Sequence, residues 1–281
     1  MKKIIVPTDF SPTAKKAQDF TIESAKLFDA EVTLLHSFEI EKYYASDYID
    51  YNKDFVVQMV SDIEKHLDDN KKDIKDRENM RVQTYLSSYD LSTAIKKASD
   101  EKKADLIVMG TVGKSGIREQ IWGSRTADVI GKTKIPVMVV PHNYTWKKPS
   151  KMLFLTREFE KDPKILNFIF EFAGLYMANV EVGVFTDIDN EKAEKLLENK
   201  QKISEYVDYI KKEYYEKSLS SQHLLGEDFE QTLHEYILEN EVDMLVMVTY
   251  QRGFWRRLFN KSITKKMSFH TEIPLLAIPA V

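Results

Sequence analysis

Three glycines and a serine in the first half of the chain have the residue types and the spacing of a phosphate-binding loop. Two residues separate Gly110 from Gly113, nine residues separate Gly113 from Gly123, and Ser124 follows Gly123. Glycine lets backbone N–H groups approach an anion because no Cβ stands in the way. A serine that opens a helix can cap it and donate its hydroxyl to a phosphate, which the helix dipole also attracts. The spacing therefore predicts a nucleotide site.

Other motifs in the same segment are incomplete. Gly113-Lys114-Ser115 resembles the end of a Walker A loop, but Val108 stands where that loop requires its first glycine. Ile117 stands where a nucleophile elbow requires its last glycine. The six histidines show no paired spacing of metal ligands. We therefore predict neither a catalytic residue nor a protein-bound metal.

The chain contains an internal repeat. Residues 104–141 align without gaps on residues 242–279, and the matched positions are always 138 residues apart. Identical residues coincide at Asp105/Asp243, Val108/Val246, Met109/Met247, Thr111/Thr249, Arg118/Arg256, Ser124/Ser262 and Ile135-Pro136/Ile273-Pro274. This match indicates a duplication, and the polar stretch 142–150 predicts the boundary between domains of residues 1–145 and 146–281.

Short apolar runs alternate with helical patterns in both halves. The runs predict strands near 3–8, 30–37, 80–87, 104–110 and 135–140, and again near 151–156, 180–186, 218–225, 242–248 and 273–278. Ser11-Pro12 marks a helix start, and further helices are expected near 53–75, 91–102 and 124–133. Such alternation predicts parallel sheets covered on both faces, that is, an α/β protein of two tandem doubly wound domains.

The glycine pattern Gly-x2-Gly-x9-Gly-Ser/Thr resembles the ATP-binding signature of the universal stress protein family. The opening residues Val6-Pro7-Thr8-Asp9-Phe10-Ser11 are similar to the first strand and loop of that family, and Leu34-Leu35-His36 resembles the end of its second strand. Three separated motifs occur in the right order, and the resemblance covers both halves. It implies the Rossmann-like, adenine nucleotide alpha hydrolase-like fold of that family.

The resemblance also implies that the first domain binds ATP, with Mg²⁺ held by the phosphates. Asp9 would contact the nucleoside, although alone it would also suit a turn, and Ser37 would offer main-chain groups to adenine. Arg125 lies where it could reach the phosphates. The residues expected in the site are Pro7, Thr8, Asp9, Ser37, Met109, Gly110, Gly113, Gly123, Ser124 and Arg125.

The second domain lacks this signature. Val248, Gln251 and Lys261 replace the three glycines, and Arg157 aligns with Asp9. Each substituted glycine restores a Cβ, and arginine cannot accept the hydrogen bonds that a carboxylate accepts. We therefore expect a degenerate copy that binds no ATP.

A basic and aromatic cluster, residues 252–266, takes the place of the loop in the second domain. It is either a solvated face whose aromatic residues fill the vacated pocket, or a site for an acidic partner or another anion.

The overall composition limits which binding partners and which cellular compartment are expected. Lys and Arg number 41 against 45 Asp and Glu, so the net charge of −4 recruits neither nucleic acid nor an anionic membrane. Cysteine is absent, which excludes thiol chemistry and favours a reducing cytoplasm. The apolar run 4–6 is too short for a signal peptide, and no stretch has the length of a membrane span.

Three functions are compatible with these features. The first is a regulatory ATP-binding protein of the stress response with an unknown protein partner. The family resemblance adds an intrachain pseudo-dimer that pairs strands 135–140 and 273–278, and a homodimer is a further option. The second is a weak ATP hydrolase or phosphotransferase, for which Glu119 is the only acid between the glycines. The third is an interaction scaffold with a vestigial site.

Overall fold

A computed structural model describes residues 1–39, 53–111, 124–191, 193–214, 219–250 and 272–280. These residues form two compact units that divide between His142 and Asn143. The sequence predicts this boundary three residues later, at residue 145. None of the described helices is long and apolar enough to cross a membrane.

The first unit alternates strands and helices from its start. Its elements are β1 (Lys3–Pro7), α1 (Pro12–Phe28), β2 (Glu31–Ser37), α2 (Lys53–Glu78), β3 (Val82–Ser87), α3 (Leu91–Lys102), β4 (Leu106–Gly110), α4 (Ser124–Lys132) and β5 (Val137–Val140). The strands pair in parallel in the order β3-β2-β1-β4-β5. With right-handed crossovers, this order places α1 and α2 on one face of the sheet and α3 and α4 on the other.

The second unit repeats this topology. Its elements are β6 (Lys151–Leu155), α5 (Pro163–Tyr176), β7 (Asn179–Asp187), α6 (Ala193–Tyr214), β8 (Ser220–Gly226), α7 (Phe229–Glu239), β9 (Met244–Thr249) and β10 (Leu275–Pro279). The parallel order β10-β9-β6-β7-β8 is that of the first unit, strand for strand. The predicted class, two doubly wound α/β units, is confirmed.

The first helix of each unit begins in the same way. The hydroxyl of Ser11 accepts from the Ala14 N–H at 3.2 Å, and proline occupies the next position. The carboxylate of Asp162 accepts from the Lys164 N–H at 2.8 Å, again with proline following. Such caps fix where the chain turns from strand to helix, and hence the loop that follows the first strand.

An aspartate that both copies of the repeat share joins two strands at their starts. Asp105 Oδ2 accepts from the backbone N–H groups of Lys2 at 2.6 Å and Lys3 at 3.0 Å. Asp243 Oδ2 does the same for Ser150 at 2.7 Å and Lys151 at 3.0 Å. The aligned aspartates therefore hold the first and fourth strands of each unit in place.

Candidate functional site

The topological switch point of the first unit lies between β1 and β4. The chain leaves β1 toward β2 on one side, whereas β4 leads to β5 on the other. The register pairs Ile4 with Leu106 and Ile5 with Ile107, so the loop after Pro7 and the end of β4 at Gly110 lie at the same edge. Ligands of open α/β sheets bind in the crevice at this edge.

The loop after β1 is held by its own side chains. The Thr8 N–H donates to the Leu35 carbonyl at 2.8 Å, and the Thr8 hydroxyl accepts from the Phe10 N–H at 3.1 Å. Asp9 Oδ1 accepts from the Ser11 N–H at 3.0 Å. Asp9 is half-buried, so its carboxylate is fixed at the strand end without being enclosed in the core.

Phe10 occupies the left-handed backbone region, with φ of 60°. Its ring stacks on His36 with centroids 4.9 Å apart and meets His66 of α2 edge-on at 5.6 Å. His36 Nδ1 lies 2.8 Å from the Thr8 carbonyl, and because a carbonyl only accepts, this nitrogen carries the proton. Left-handed non-glycine residues are strained and occur preferentially at functional sites. No sequence signal predicts this conformation.

Three predicted residues at this edge have little exposed side chain to offer. Pro7 and Thr8 are buried, and Met109 is 5% exposed and pairs with Val139. Ser37 ends β2 opposite Ser87 and is half-buried. Any ligand contact of Met109 would therefore be made by main-chain atoms.

Gly110 has a structural reason to be glycine. A Cβ there would lie 2.6 Å from Thr13 Cγ2 and 2.9 Å from the Thr13 carbonyl oxygen. The Gly110 carbonyl accepts from the Thr126 hydroxyl at 3.1 Å. The end of β4 is thereby fastened to the first turns of α1 and α4. The glycine spacing indicates backbone freedom at this position but not the tight contact with Thr13.

The four remaining predicted residues come after β4 in the sequence. Gly113 and Gly123 lie outside the described residues. Ser124 begins α4, as predicted, and Arg125 is exposed in the first turn of that helix. The described part of the candidate site thus consists of the loop after β1, the ends of β2 and β4, and the start of α4.

A cleft of about 440 Å³ lies beside the same loop, between α1 and α2. Phe10, Lys15 and His66 line it, and at its base Gln18 and Asn70 exchange amide hydrogen bonds of 3.0 and 2.7 Å. Gln18 is 1% exposed. The sequence does not predict this cleft, because its residues come from two helices whose distance apart no local pattern specifies.

The switch point of the second unit has different side chains from that of the first unit. Glu160, 8% exposed, accepts hydrogen bonds from the Asp162 N–H and the Tyr250 hydroxyl, and Tyr206 donates to the Glu160 carbonyl. Val248, aligned with Gly110, is a buried residue of β9. Burial raises the pKa of both phenols, and the carboxylate of Glu160 adds to the effect. The loop after the first strand of the second unit thus contains a buried carboxylate, whereas the carboxylate of Asp9 in the first unit is half-buried.

Phe159 of the second unit matches Phe10, with one additional residue in the loop that leads to it from β6. Its φ is 53°, and its ring meets Tyr206 of α6 edge-on at 5.6 Å, the distance between Phe10 and His66 of α2. A left-handed phenylalanine packed on the second helix is therefore part of both copies, although the sequences around it differ.

The fold and the repeat define a tandem doubly wound α/β protein, and the comparison with known families makes this specific. The model of the universal stress protein family matches residues 1–141. The chain belongs to the universal stress protein family.

Relatives of known sequence and structure agree with this membership. Universal stress protein MJ0531 of Methanocaldococcus jannaschii is 30% identical over 154 residues, which cover 53% of this chain and 84% of that protein. Universal stress protein MJ0577 of the same organism is 27% identical over 153 residues, covering 50% and 94%. A solved universal stress protein from Archaeoglobus fulgidus covers 99% of this chain and 98% of its own, with a TM-score of 0.68 at 14% identity. The last likeness shows that the fold extends over both halves.

Proposed function

We propose that the first unit binds ATP at the carboxyl edge of its sheet and that the chain is a regulatory protein of the stress response. The observation that carries the proposal is that Asp9 follows β1 and Gly110 ends the adjacent parallel strand β4, at the switch point. The glycine and serine spacing after β4 supports a phosphate at the start of α4.

The residues present suit an adenine nucleotide. Asp9 offers a fixed carboxylate that can accept from ribose hydroxyls, and the ends of β1, β2 and β4 supply main-chain groups. Arg125, exposed beside Ser124, adds a positive charge near the phosphates. Mg²⁺, bound by the phosphates, would neutralise part of their charge.

We further propose that the second unit holds no nucleotide. Arg157 replaces the carboxylate, and Val248 closes the position of the first glycine. The buried Glu160 carboxylate would repel a phosphate, since like charges in a poorly solvated site interact strongly. Nucleotide occupancy is then a property of one half of the chain.

Binding without turnover is the form of activity that we favour, with an as yet unidentified protein partner and a cytoplasmic location. Native mass spectrometry of the purified chain tests the proposal, and the expected result is one retained adenine nucleotide per chain. A single-turnover assay with bound ATP separates binding from hydrolysis. A folded chain that neither retains nor takes up adenine nucleotide would contradict the proposal and favour the scaffold.

A further inference from the structure

The second unit has a cleft of about 540 Å³ beside the loop that follows β6. It lies between this loop, α6 and the residue after β9, and its volume is in the range of small-molecule sites. The proposed ATP site belongs to the first unit, so a ligand of this cleft requires no bound nucleotide.

A buried carboxylate forms the base of this cleft. Glu160 is 8% exposed, and its Oε1 accepts from the Asp162 N–H at 2.5 Å while its Oε2 accepts from the Tyr250 hydroxyl. These donors orient the carboxylate without saturating it, because a carboxylate has about four acceptor sites. Both donors are neutral, so the negative charge of this carboxylate can still attract a cation in the cleft.

Aromatic rings form the walls. Phe159 and Tyr206 meet edge-on, and the ring of Tyr250, 40% exposed, stands at the mouth. The faces of such rings attract cations, most strongly where water is partly excluded. In the same unit the Nζ of Lys161 already lies 5.4 Å from the ring centroid of Tyr209.

Among the described residues that line the cleft, acidic side chains outnumber basic ones. Glu158 and Glu205 line it together with Glu160, against the two cations Lys161 and Lys202. Lys202 is engaged in an ion pair with Glu198 of its own helix, and Lys161 is directed to the Tyr209 ring. Acidic groups thus outnumber the lysines, and both lysines have partners on α6.

We propose that this cleft binds an organic ammonium ion, with its cationic head toward Glu160 and its carbon atoms against the rings of Phe159 and Tyr250. The matching cleft of the first unit has no carboxylate among its described lining residues and includes Lys15 instead. The duplicated position has therefore diverged in charge, and of the two clefts the one in the second unit suits a cation.

Calorimetric titration of the full-length chain with choline and with its uncharged isostere, 3,3-dimethylbutan-1-ol, tests the proposal. The two probes have nearly the same shape, so any difference in affinity reports the charge. We expect choline to bind at least about tenfold more tightly, as cation–π and carboxylate contacts together predict. Equal affinities, or no binding of choline at millimolar concentrations, would overturn it.

Variants locate the site. Glu160→Gln keeps the shape and one oxygen that can accept from the Asp162 N–H, turns the oxygen that accepts from Tyr250 into an NH2 group, and removes the charge. We expect it to lower choline affinity about tenfold. Tyr250→Leu removes one aromatic wall together with the hydroxyl that donates to Glu160, and should weaken choline binding. Tyr250→Phe, which loses the hydroxyl alone, separates the two effects and should weaken choline binding less. Glu213→Gln is the matched control, because Glu213 lies on α6, the helix that lines the cleft, but is not itself a lining residue. Choline affinity that survives both Glu160→Gln and Tyr250→Leu would refute the assignment.

Discussion

At the scale of single residues, Asp9 has two roles that the sequence could not separate. One is structural, because its Oδ1 accepts from the Ser11 N–H and so supports the start of α1. The other is the proposed contact with the nucleoside. An alanine substitution removes both, whereas asparagine retains one oxygen that can accept from the Ser11 N–H and removes the charge and the second acceptor oxygen.

We predict that Asp9→Asn folds with nearly unchanged stability and binds ATP about ten- to a hundredfold more weakly, the effect of a lost charged hydrogen bond of about 1.5–3 kcal/mol. Calorimetry gives the affinity and thermal unfolding gives the stability. Asp90→Asn, at the cap of α3, is the control and should leave ATP affinity unchanged. Affinity of Asp9→Asn within about twofold of the parent chain would remove Asp9 from the site.

Gly110 permits a stability test that needs no ligand. A Cβ there would clash with Thr13, including its backbone oxygen at 2.9 Å, and we expect Gly110→Ala to lower the free energy of unfolding by about 1–3 kcal/mol. A Cβ added at Gly131, in α4, would meet no described atom within 4 Å, so Gly131→Ala should be neutral or stabilising by up to about 1 kcal/mol. Urea unfolding compares the two. Equal stability of both variants would contradict the packing of Thr13 against Gly110.

At the scale of elements, the sequence predicts most of the fold. The apolar runs locate each of the strands in the described part of the chain, and the Ser11-Pro12 signature gives the first residue of α1 correctly. Periodicity succeeds because strand and helix repeats are local properties of the chain. The contacts between elements were not predicted, because the packing of Thr13 on Gly110 and of Phe10 between two histidines depends on residues distant in sequence.

Burial of a carboxyl group at the start of α7 costs electrostatic free energy when that group ionises. Glu230 Oε1 is buried and has no hydrogen-bond partner among the described residues, and burial together with the neighbouring Asp228 raises the pKa of Glu230 to about 7. The unfolded value is about 4.3, so between these pH values the folded chain binds more protons. This carboxyl therefore makes its full contribution to stability below about pH 4.3 and loses it as the pH rises to about 7.

We predict that Glu230→Gln raises the midpoint of thermal unfolding at pH 8 and changes it little at pH 4, because glutamine never ionises. Thermal unfolding of both chains across this pH range is the measurement. Glu235→Gln, on the same helix, is the control. An equal difference between the Glu230→Gln and parent midpoints at the two pH values would show that this carboxyl does not titrate in that range.

At the scale of the whole molecule, a duplication has produced two units of one topology with different sites. Both retain the capped first helix, the left-handed phenylalanine and the aspartate that joins two strands. They differ at the switch point, where Asp9 and Gly110 of the first unit correspond to Arg157 and Val248 of the second. What was preserved is the scaffold, and what diverged is the chemistry of the strand ends. The pairing of the two halves expected from the family resemblance stays a prediction.

The stoichiometry of ATP binding to the full-length protein decides whether the chain has one nucleotide site, in its first unit. Calorimetry is expected to give one ATP per chain, and Gly123→Val should abolish binding because a branched side chain displaces the backbone from the phosphate. Gly253→Val, in the second half, should leave affinity and stoichiometry unchanged. A stoichiometry near two, or ATP binding that survives Gly123→Val and is lost in Gly253→Val, would contradict a single site in the first unit.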